Sequence, residues 1–440
     1  MRKTAFLRHD DIEHCALTSG SRCAISSVRE RTKRSAVNDT PRISRQFSLC
    51  TVMETIVHCG PISRASIAKQ TGLSKQTISE IARQLEDDGW IRETGRTSGH
   101  VGRTAVTYEI VPDAACIATV DLGGTKARAA IADLSCRVLA EVTEPTDRRG
   151  GIHVVRQIAR MCREAAQHNG IAFDKVRLAV IGVPGVPDRK SGRVVMAPNI
   201  ADFDTIDVEA SLGAELGVDI ILENDVNLAV LGEHWIGGGA GVDDLAYVAL
   251  GTGIGAGIMV DGKLVRGFGG AAGELGFLPF GADPFDAASL RTGALERVTA
   301  TAGMRARYRE LSGADTDVPH IFEAAAAGEG AAIQVLDETA RYVARAIAAI
   351  CAVTNPGKVI LGGSIGSREE LVSRIRPLVP ACFPYAVEIG VSELGARTAI
   401  VGGAAVGLSQ LHAALFSGGV PGAAIALPPA EVVRLTEAAQ

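Results

Sequence analysis

Between Phe47 and Cys59 the apolar residues Leu49, Val52, Met53, Ile56 and Val57 recur at steps of three and four, which predicts an amphipathic helix ended by Gly60-Pro61. Ser63 stands where a cap would open a second helix over Arg64–Gln70, and Thr71-Gly72-Leu73 supplies a turn whose glycine takes positive φ without steric cost. Ser74 caps a third helix. Ile78, Ile81, Ala82 and Leu85 share one face of that helix, so Lys75, Gln76, Thr77, Ser79 and Arg83 point elsewhere. Two short strands, Gly89–Arg92 and Ala105–Ile110, bracket a glycine-bearing loop with Arg96 and Arg103. A buried stripe that holds a helix, an exposed polar face and a basic wing are what reading a DNA major groove requires. The candidate DNA contacts are Arg64, Ser74, Lys75, Gln76, Thr77, Ser79, Arg96 and Arg103.

The pattern then changes. Ile117–Asp121 and Ala127–Ala132 are expected strands around the turn Leu122-Gly123-Gly124-Thr125-Lys126, and Ala331–Val353 is an expected helix. At 440 residues the chain is long enough for two or three domains, and 47% hydrophobic against 22% charged residues makes it globular. Fifty glycines against 4% aromatics favour tight turns and an α/β class over an aromatic-rich β-sandwich. Residues 1–112 hold 17 Lys+Arg and 12 Asp+Glu, leaving 28 and 38 for residues 113–440, so the first part is +5 and the remainder -10. An anionic partner is therefore expected at the N-terminal part. Residues 1–46 lack periodicity and are expected to be a basic, disordered leader.

The uncharged apolar run between Asp244 and Asp261 is 16 residues long with four glycines, too short for a membrane helix. Thr398–Ala430 is longer but is interrupted by glycines and prolines. Nine scattered cysteines without a Cys-x-x-Cys pair, and no apolar leader, point to a cytoplasmic protein with free thiols and no zinc cluster.

Glycines in the 122–126 turn let backbone N–H groups approach phosphate oxygens, Thr125 and Lys126 can donate there, and Asp121 could hold Mg²⁺ through water. There is neither a Walker A motif nor a Gly-x-Gly-x-x-Gly, which argues against P-loop and Rossmann folds. A second such loop, Gly251-Thr252-Gly253-Ile254-Gly255, and a third, Gly362-Gly363-Ser364, suggest the two facing halves of an actin- or hexokinase-like nucleotide cleft. The nucleotide candidates are Asp121, Gly123, Gly124, Thr125, Lys126, Thr252, Gly253, Gly362 and Gly363. Between the first two loops lies Glu223-Asn224-Asp225-Val226-Asn227, where Asp225 is the candidate base for phosphoryl transfer to a sugar, or with Asn224 a cap for the helix running to Trp235.

These motifs, with Ala197-Pro198-Asn199 and Gly273-Glu274-Leu275-Gly276, make residues 113–416 resemble a ROK (repressor, open reading frame, kinase) domain. Residues 47–416 resemble the ROK transcriptional regulators of bacterial sugar metabolism. The resemblance implies an α/β chain with a winged helix-turn-helix over 47–112, a two-lobed actin/hexokinase-like (ribonuclease H-like) domain over 113–416 and a tail over 417–440. By resemblance, Asn199, Asn224, Asp225 and Glu274 contact sugar hydroxyls, Gly185 passes close to the ring, and Glu296 falls where the family often has another sugar-binding carboxylate. Phe277 replaces the histidine of the usual Glu-x-Gly-His, and Ala294 stands at one position of the absent cysteine cluster, so no structural zinc is expected.

The expected function is a DNA-binding regulator, a repressor, that responds to a sugar or sugar derivative. The alternatives are an ATP-dependent sugar kinase and a protein that does both, either of which would use Mg-ATP and Asp225. Expected partners are a two-fold symmetric double-stranded operator, a sugar effector and further copies of the chain in a homodimer or homotetramer, with no membrane.

Overall fold

A computed structural model describes residues 29–97, 105–188, 190–196 and 199–430. Contacts divide the chain into two units, one made of residues up to Ala115 together with Leu408–Pro428, the other centred on Cys116–Gly407.

In the first unit, helix α1 (Arg29–Cys59) is followed by strand β1 (Ile62–Ser63), α2 (Arg64–Thr71), α3 (Lys75–Asp87), β2 (Ile91–Thr97) and β3 (Ala105–Ile110). The strands form one antiparallel sheet in the order β1-β3-β2. Val52, Met53 and Ile56 of α1 are buried, as are Ile67 of α2 and the Ile78, Ile81, Ala82 and Leu85 stripe of α3. Helices α2 and α3 and strand β3 are present at nearly the predicted boundaries, β2 runs on to Thr97 where a strand over 89–92 is expected, and the loop over 98–104 lies outside the described residues.

Two expectations need correction here. The leader is helical from Arg29, through Pro41, rather than irregular up to residue 46; residues 1–28 lie outside the described residues. The described part of the expected tail, residues 417–430, packs back on α1, and residues 431–440 lie outside the described residues. Glu54 accepts from the Ala426 N–H at 3.2 Å, His58 lies 2.9 Å from the Ala426 carbonyl, and the Cys50 thiol donates to the Phe416 carbonyl at 3.2 Å. The Phe416 ring is buried edge-on against Trp90, with centroids 5.6 Å apart.

The second unit repeats one sheet topology twice. Its first half has β4 (Cys116–Leu122), β5 (Lys126–Asp133), β6 (Val138–Pro145), α4 (Gly151–His168), β7 (Val176–Val183), the ribbon of β8 (Val186–Asp188) and β9 (Arg193–Val195), α5 (Val208–Leu216) and β10 (Asp219–Asn224). After α6 (Asp225–Ile236) the second half has β11 (Leu245–Leu250), β12 (Ile254–Val260) and β13 (Lys263–Leu264). Then come α7 (Ala287–Thr292), α8 (Glu296–Thr299), α9 (Thr301–Ser312), α10 (Val318–Ala326) and α11 (Gly330–Thr354). It closes with β14 (Lys358–Gly362), α12 (Gly363–Gly366), α13 (Glu369–Cys382), β15 (Glu388–Val391) and α14 (Thr398–Phe416).

The sheets are ordered β10-β7-β4-β5-β6 and β13-β12-β11-β14-β15. In each, an antiparallel three-strand meander adds two strands parallel to its first strand. Each half has its own core, around Ile158, Met161 and Phe203 in the first and Phe322, Ile347 and Ile375 in the second. The two glycine turns are the equivalent first hairpins of the two sheets, so the repeat itself brings both turns to corresponding positions.

Helix α14 is long and apolar enough to cross a membrane by length and composition alone, yet 67% of that stretch is buried, with Ile400, Val401, Ala404, Leu408 and Leu411 in the interior. It crosses α6 at glycines: a Cβ on Gly402 would lie 1.8 Å from the Leu228 carbonyl oxygen, and one on Gly232 would lie 2.3 Å from that of Thr398. Backbone therefore packs on backbone, which fixes the helix that begins with Asp225.

Candidate functional site

In α2 and α3 the predicted caps are formed. Ser63 accepts from the Ser66 N–H and Ser74 from the Thr77 N–H, each at 3.1 Å, and Gly72 closes α2 in the left-handed region at φ 72°. Lys75 and Gln76 are exposed at the start of α3, while Thr77 and Ser79 are half-buried. Ser79 donates to the Lys75 carbonyl at 2.8 Å, and Gln76 reaches Glu80 at 3.1 Å, so the tip of this face is Lys75 and Gln76. Arg64 departs from expectation: its guanidinium lies 4.9 Å from the Tyr108 ring centre and donates to the Tyr108 hydroxyl, so it buttresses the sheet instead of facing an anion. Arg96 falls on β2, and Arg103 lies outside the described residues.

In the second unit both glycine turns close on themselves. The Gly123 N–H donates to the Lys126 carbonyl and the Gly251 N–H to the Gly253 carbonyl, each at 2.9 Å. Thr146 donates to the Gly123 carbonyl at 2.6 Å, and Thr301 to that of Gly251 at 2.9 Å. Asn199 sits on the first turn, since a Cβ on Gly124 would come within 2.8 Å of its own Cβ. The third glycine site is beside the second, with Ser364 Oγ 3.2 Å from a Cβ placed on Gly251. Thr125, Lys126 and Thr252 are exposed.

Asn224 ends β10 and caps α6, accepting from the Val226 and Asn227 N–H groups at 2.9 and 3.0 Å. Its amide donates to the Gly185 carbonyl at 3.0 Å. Gly185 has φ 94°, and a Cβ there would meet the Val195 carbonyl at 2.5 Å, so only glycine fits. Both expected roles of the Asn224-Asp225 pair are thus compatible: Asn224 is the cap, which leaves Asp225 held at the first turn of α6.

Four carboxylates form a continuous series across the two halves. Burial, reinforced by Asp121 and Glu274, pushes Asp225 up to about 8, and burial pushes Asp121 up to about 6 against the lowering influence of Arg128. Burial also raises Glu274, and it raises Glu296 with Glu274 as a further cause. Glu296 accepts from the Ile254 N–H at 3.1 Å, and its Oε2 lies 2.6 Å from a Cβ placed on Gly253, so it braces the second turn. Like charges held together with partial desolvation favour an occupant that accepts or donates protons or brings positive charge: sugar hydroxyls or a cation. Among the described residues no group of three or more His, Cys, Asp or Glu side chains is placed to hold a metal ion.

The sequence reading missed a support for this row. Arg266 donates to Glu223 at 2.7 Å, and Glu223 in turn accepts from the Asn224 N–H at 3.0 Å and the Asn227 amide at 2.9 Å. Glu223 is 8% exposed in its side chain, so this pair anchors the segment before Glu274 to the base of α6.

Residues 117–411 match the ROK family, and residues 51–92 match a winged helix-turn-helix DNA-binding family. A glucokinase of Thermotoga maritima is 32% identical over 314 residues, which is 65% of this chain and 95% of the enzyme. A xylose repressor of Caldicellulosiruptor bescii is 27% identical over 392 residues, covering 83% of this chain and 96% of the repressor. The crystal structure of a ROK family transcriptional regulator, a homologue of the E. coli MLC protein, superposes with a TM-score of 0.66 at 24% identity over 86% of this chain and 98% of that one, a likeness of fold. With a family match across most of its length, carried on two sheets of one repeated topology, the chain belongs to the ROK family.

Proposed function

We propose that this protein is a transcriptional regulator, a repressor of carbohydrate genes, which binds DNA through α3 and the wing and responds to a sugar or sugar derivative in the cleft of its ROK domain. The observation that carries the proposal is the union in one chain of a capped recognition helix with exposed Lys75 and Gln76 at its start and, in the ROK domain, a desolvated Asp225 on which Asp121 and Glu274 act. The alignment with the xylose repressor takes in 83% of the chain, against 65% for the glucokinase. One helix-turn-helix reads only a half-site, so the operator is two-fold symmetric and the working form is a homodimer or homotetramer, acting in the cytoplasm.

The test is fluorescence anisotropy on the DNA upstream of its own gene against random DNA, over a salt series, with a panel of monosaccharides. Salt-sensitive preference for its own DNA, relieved by one sugar, is expected. Equal affinity for both DNAs would end the proposal. Sugar can change DNA affinity only by favouring one state of the protein, with a coupling typically of about 1 to 3 kcal/mol.

A second reading, sugar phosphorylation, is favoured by one observation: Asp121, near the end of β4 and just before the first glycine turn, acts on Asp225. Here Asp121, Gly123, Gly124, Thr125, Lys126, Thr252, Gly253, Gly362 and Gly363 would hold Mg-ATP, which supplies the phosphoryl group. Asp225 would take the proton from the sugar hydroxyl. Sugar-dependent ATP turnover by wild type, lost by orders of magnitude in Asp225→Asn, is the result that would establish it.

A further inference from the structure

None of the four carboxylates lines a second concavity, a groove of about 530 Å³ between α9 and α11, of a size usual for small-molecule sites. Four arginines, Arg297, Arg307, Arg341 and Arg345, and two glutamates, Glu310 and Glu338, border it, an excess of two positive charges. The surrounding sequence has the opposite sign, at -10 over residues 113–440.

The internal pairing is lopsided. Arg307 alone takes both groove carboxylates, holding Glu338 at 2.8 and 2.9 Å and Glu310 at 2.7 Å. Arg297 is turned to Asp286 at 2.8 Å. Arg341 and Arg345 remain exposed, one turn apart on α11, and no ion pair within 4.0 Å involves either of them among the described residues. The Arg307 hydrogen bond, with Arg341 as a weaker cause, holds the Glu338 carboxyl below its usual range, whereas Arg341 beside Arg345 costs a helix roughly 0.2 to 0.5 kcal/mol. Arg345 lies 5.7 Å from the ring centre of Tyr342, which gives the groove an aromatic wall, and Val335 and Ala306 add apolar surface.

We propose that this groove binds a small phosphorylated molecule, its phosphate monoester dianion gripped by Arg341 and Arg345 and its body lying along Tyr342. Guanidinium forks match phosphate oxygens in pairs, and a dianion matches the two charges of Arg341 and Arg345. The shared chemistry is the phosphate, whether carried by a sugar or free in solution.

Isothermal titration of the full chain with glucose 6-phosphate, inorganic phosphate and glucose, in buffer of physiological ionic strength, tests this. Saturable binding of a phosphate-bearing probe is expected, weakened at least about tenfold, or 1.4 kcal/mol, in Arg341→Gln/Arg345→Gln. Tighter binding of glucose 6-phosphate than of phosphate identifies an ester site; equal binding identifies a site for the free ion. The double variant should melt with wild type, because both side chains are exposed. Three results overturn the proposal: no saturable binding of either probe, binding that survives the double variant, or a changed sedimentation coefficient in the double variant, which would make the groove an interface between copies.

Discussion

The Arg266–Glu223 pair offers a test of how the ligand cleft is held. Arg266→Ala would strand the Glu223 carboxylate, only 8% exposed, without its cation. Breaking a buried pair from one side costs about 3 to 5 kcal/mol, because the remaining charge is left desolvated. Glu223 keeps two N–H donors, from Asn224 and Asn227, which places the expected loss near the lower end, about 3 kcal/mol. At about 2 °C per kcal/mol for a large domain, the melting transition of the ROK unit should fall by roughly 6 °C. Glu223→Gln supplies the control. In Arg266→Ala/Glu223→Gln no charge is stranded, so the double variant should be more stable than Arg266→Ala, with a coupling of at least about 1.5 kcal/mol. Denaturant unfolding of the four proteins measures the cycle. A loss below about 1 kcal/mol in Arg266→Ala, or additive effects, would show that the pair is solvated and supports nothing.

Asp225 has a raised pKa, so the native state holds its proton more tightly than the unfolded chain; that contribution to stability is full below about pH 4 and is lost as pH rises through about 8. Asp225→Asn should therefore match wild type in acid and become progressively more stable than wild type towards pH 9 in thermal melts, and parallel curves would refute the assignment. Lys75→Ala and Gln76→Ala should each weaken operator binding by about 1 to 3 kcal/mol while leaving affinity for random DNA little changed if they read bases; equal losses on both DNAs would make them phosphate contacts. Phe416→Ala should destabilise the DNA-binding unit by about 3 to 5 kcal/mol, read from Trp90 emission in a Trp235→Phe background. Elemental analysis of untagged protein should find no stoichiometric zinc, since Phe277 and Ala294 replace expected ligands; one Zn²⁺ per chain would refute that.

What the sequence disclosed was local. Ser63, Gly72 and Ser74 act within four residues of their own positions, so the helix-turn-helix could be read from spacing, and the glycine turns are three- and four-residue hairpins closed by their own backbone. What stayed hidden was tertiary. Arg266 and Glu223 are 43 residues apart and Arg64 and Tyr108 are 44 apart, and no periodicity links such partners. Arg64 is expected among the DNA contacts, and only the buried Tyr108 ring shows where it goes. The resemblance puts the limit of the ROK domain at 416, whereas packing divides α14 and assigns its residues from Leu408 onward to the other unit.

That division of α14 has a consequence for how the protein is made. The helix-turn-helix and wing leave the ribosome early, but Phe416 and the segment through Ala426 that pack on α1 and Trp90 emerge some 300 residues later. At about 5 to 20 residues per second that is a wait of roughly 15 to 60 s. During it the DNA-binding unit lacks one of its own walls and keeps an apolar slot open beside Trp90. A nascent chain therefore cannot finish its DNA-reading head until the ROK domain has been translated, so operator binding becomes a property of completed polypeptides, and messages cut short inside the ROK domain yield heads that are never fully assembled.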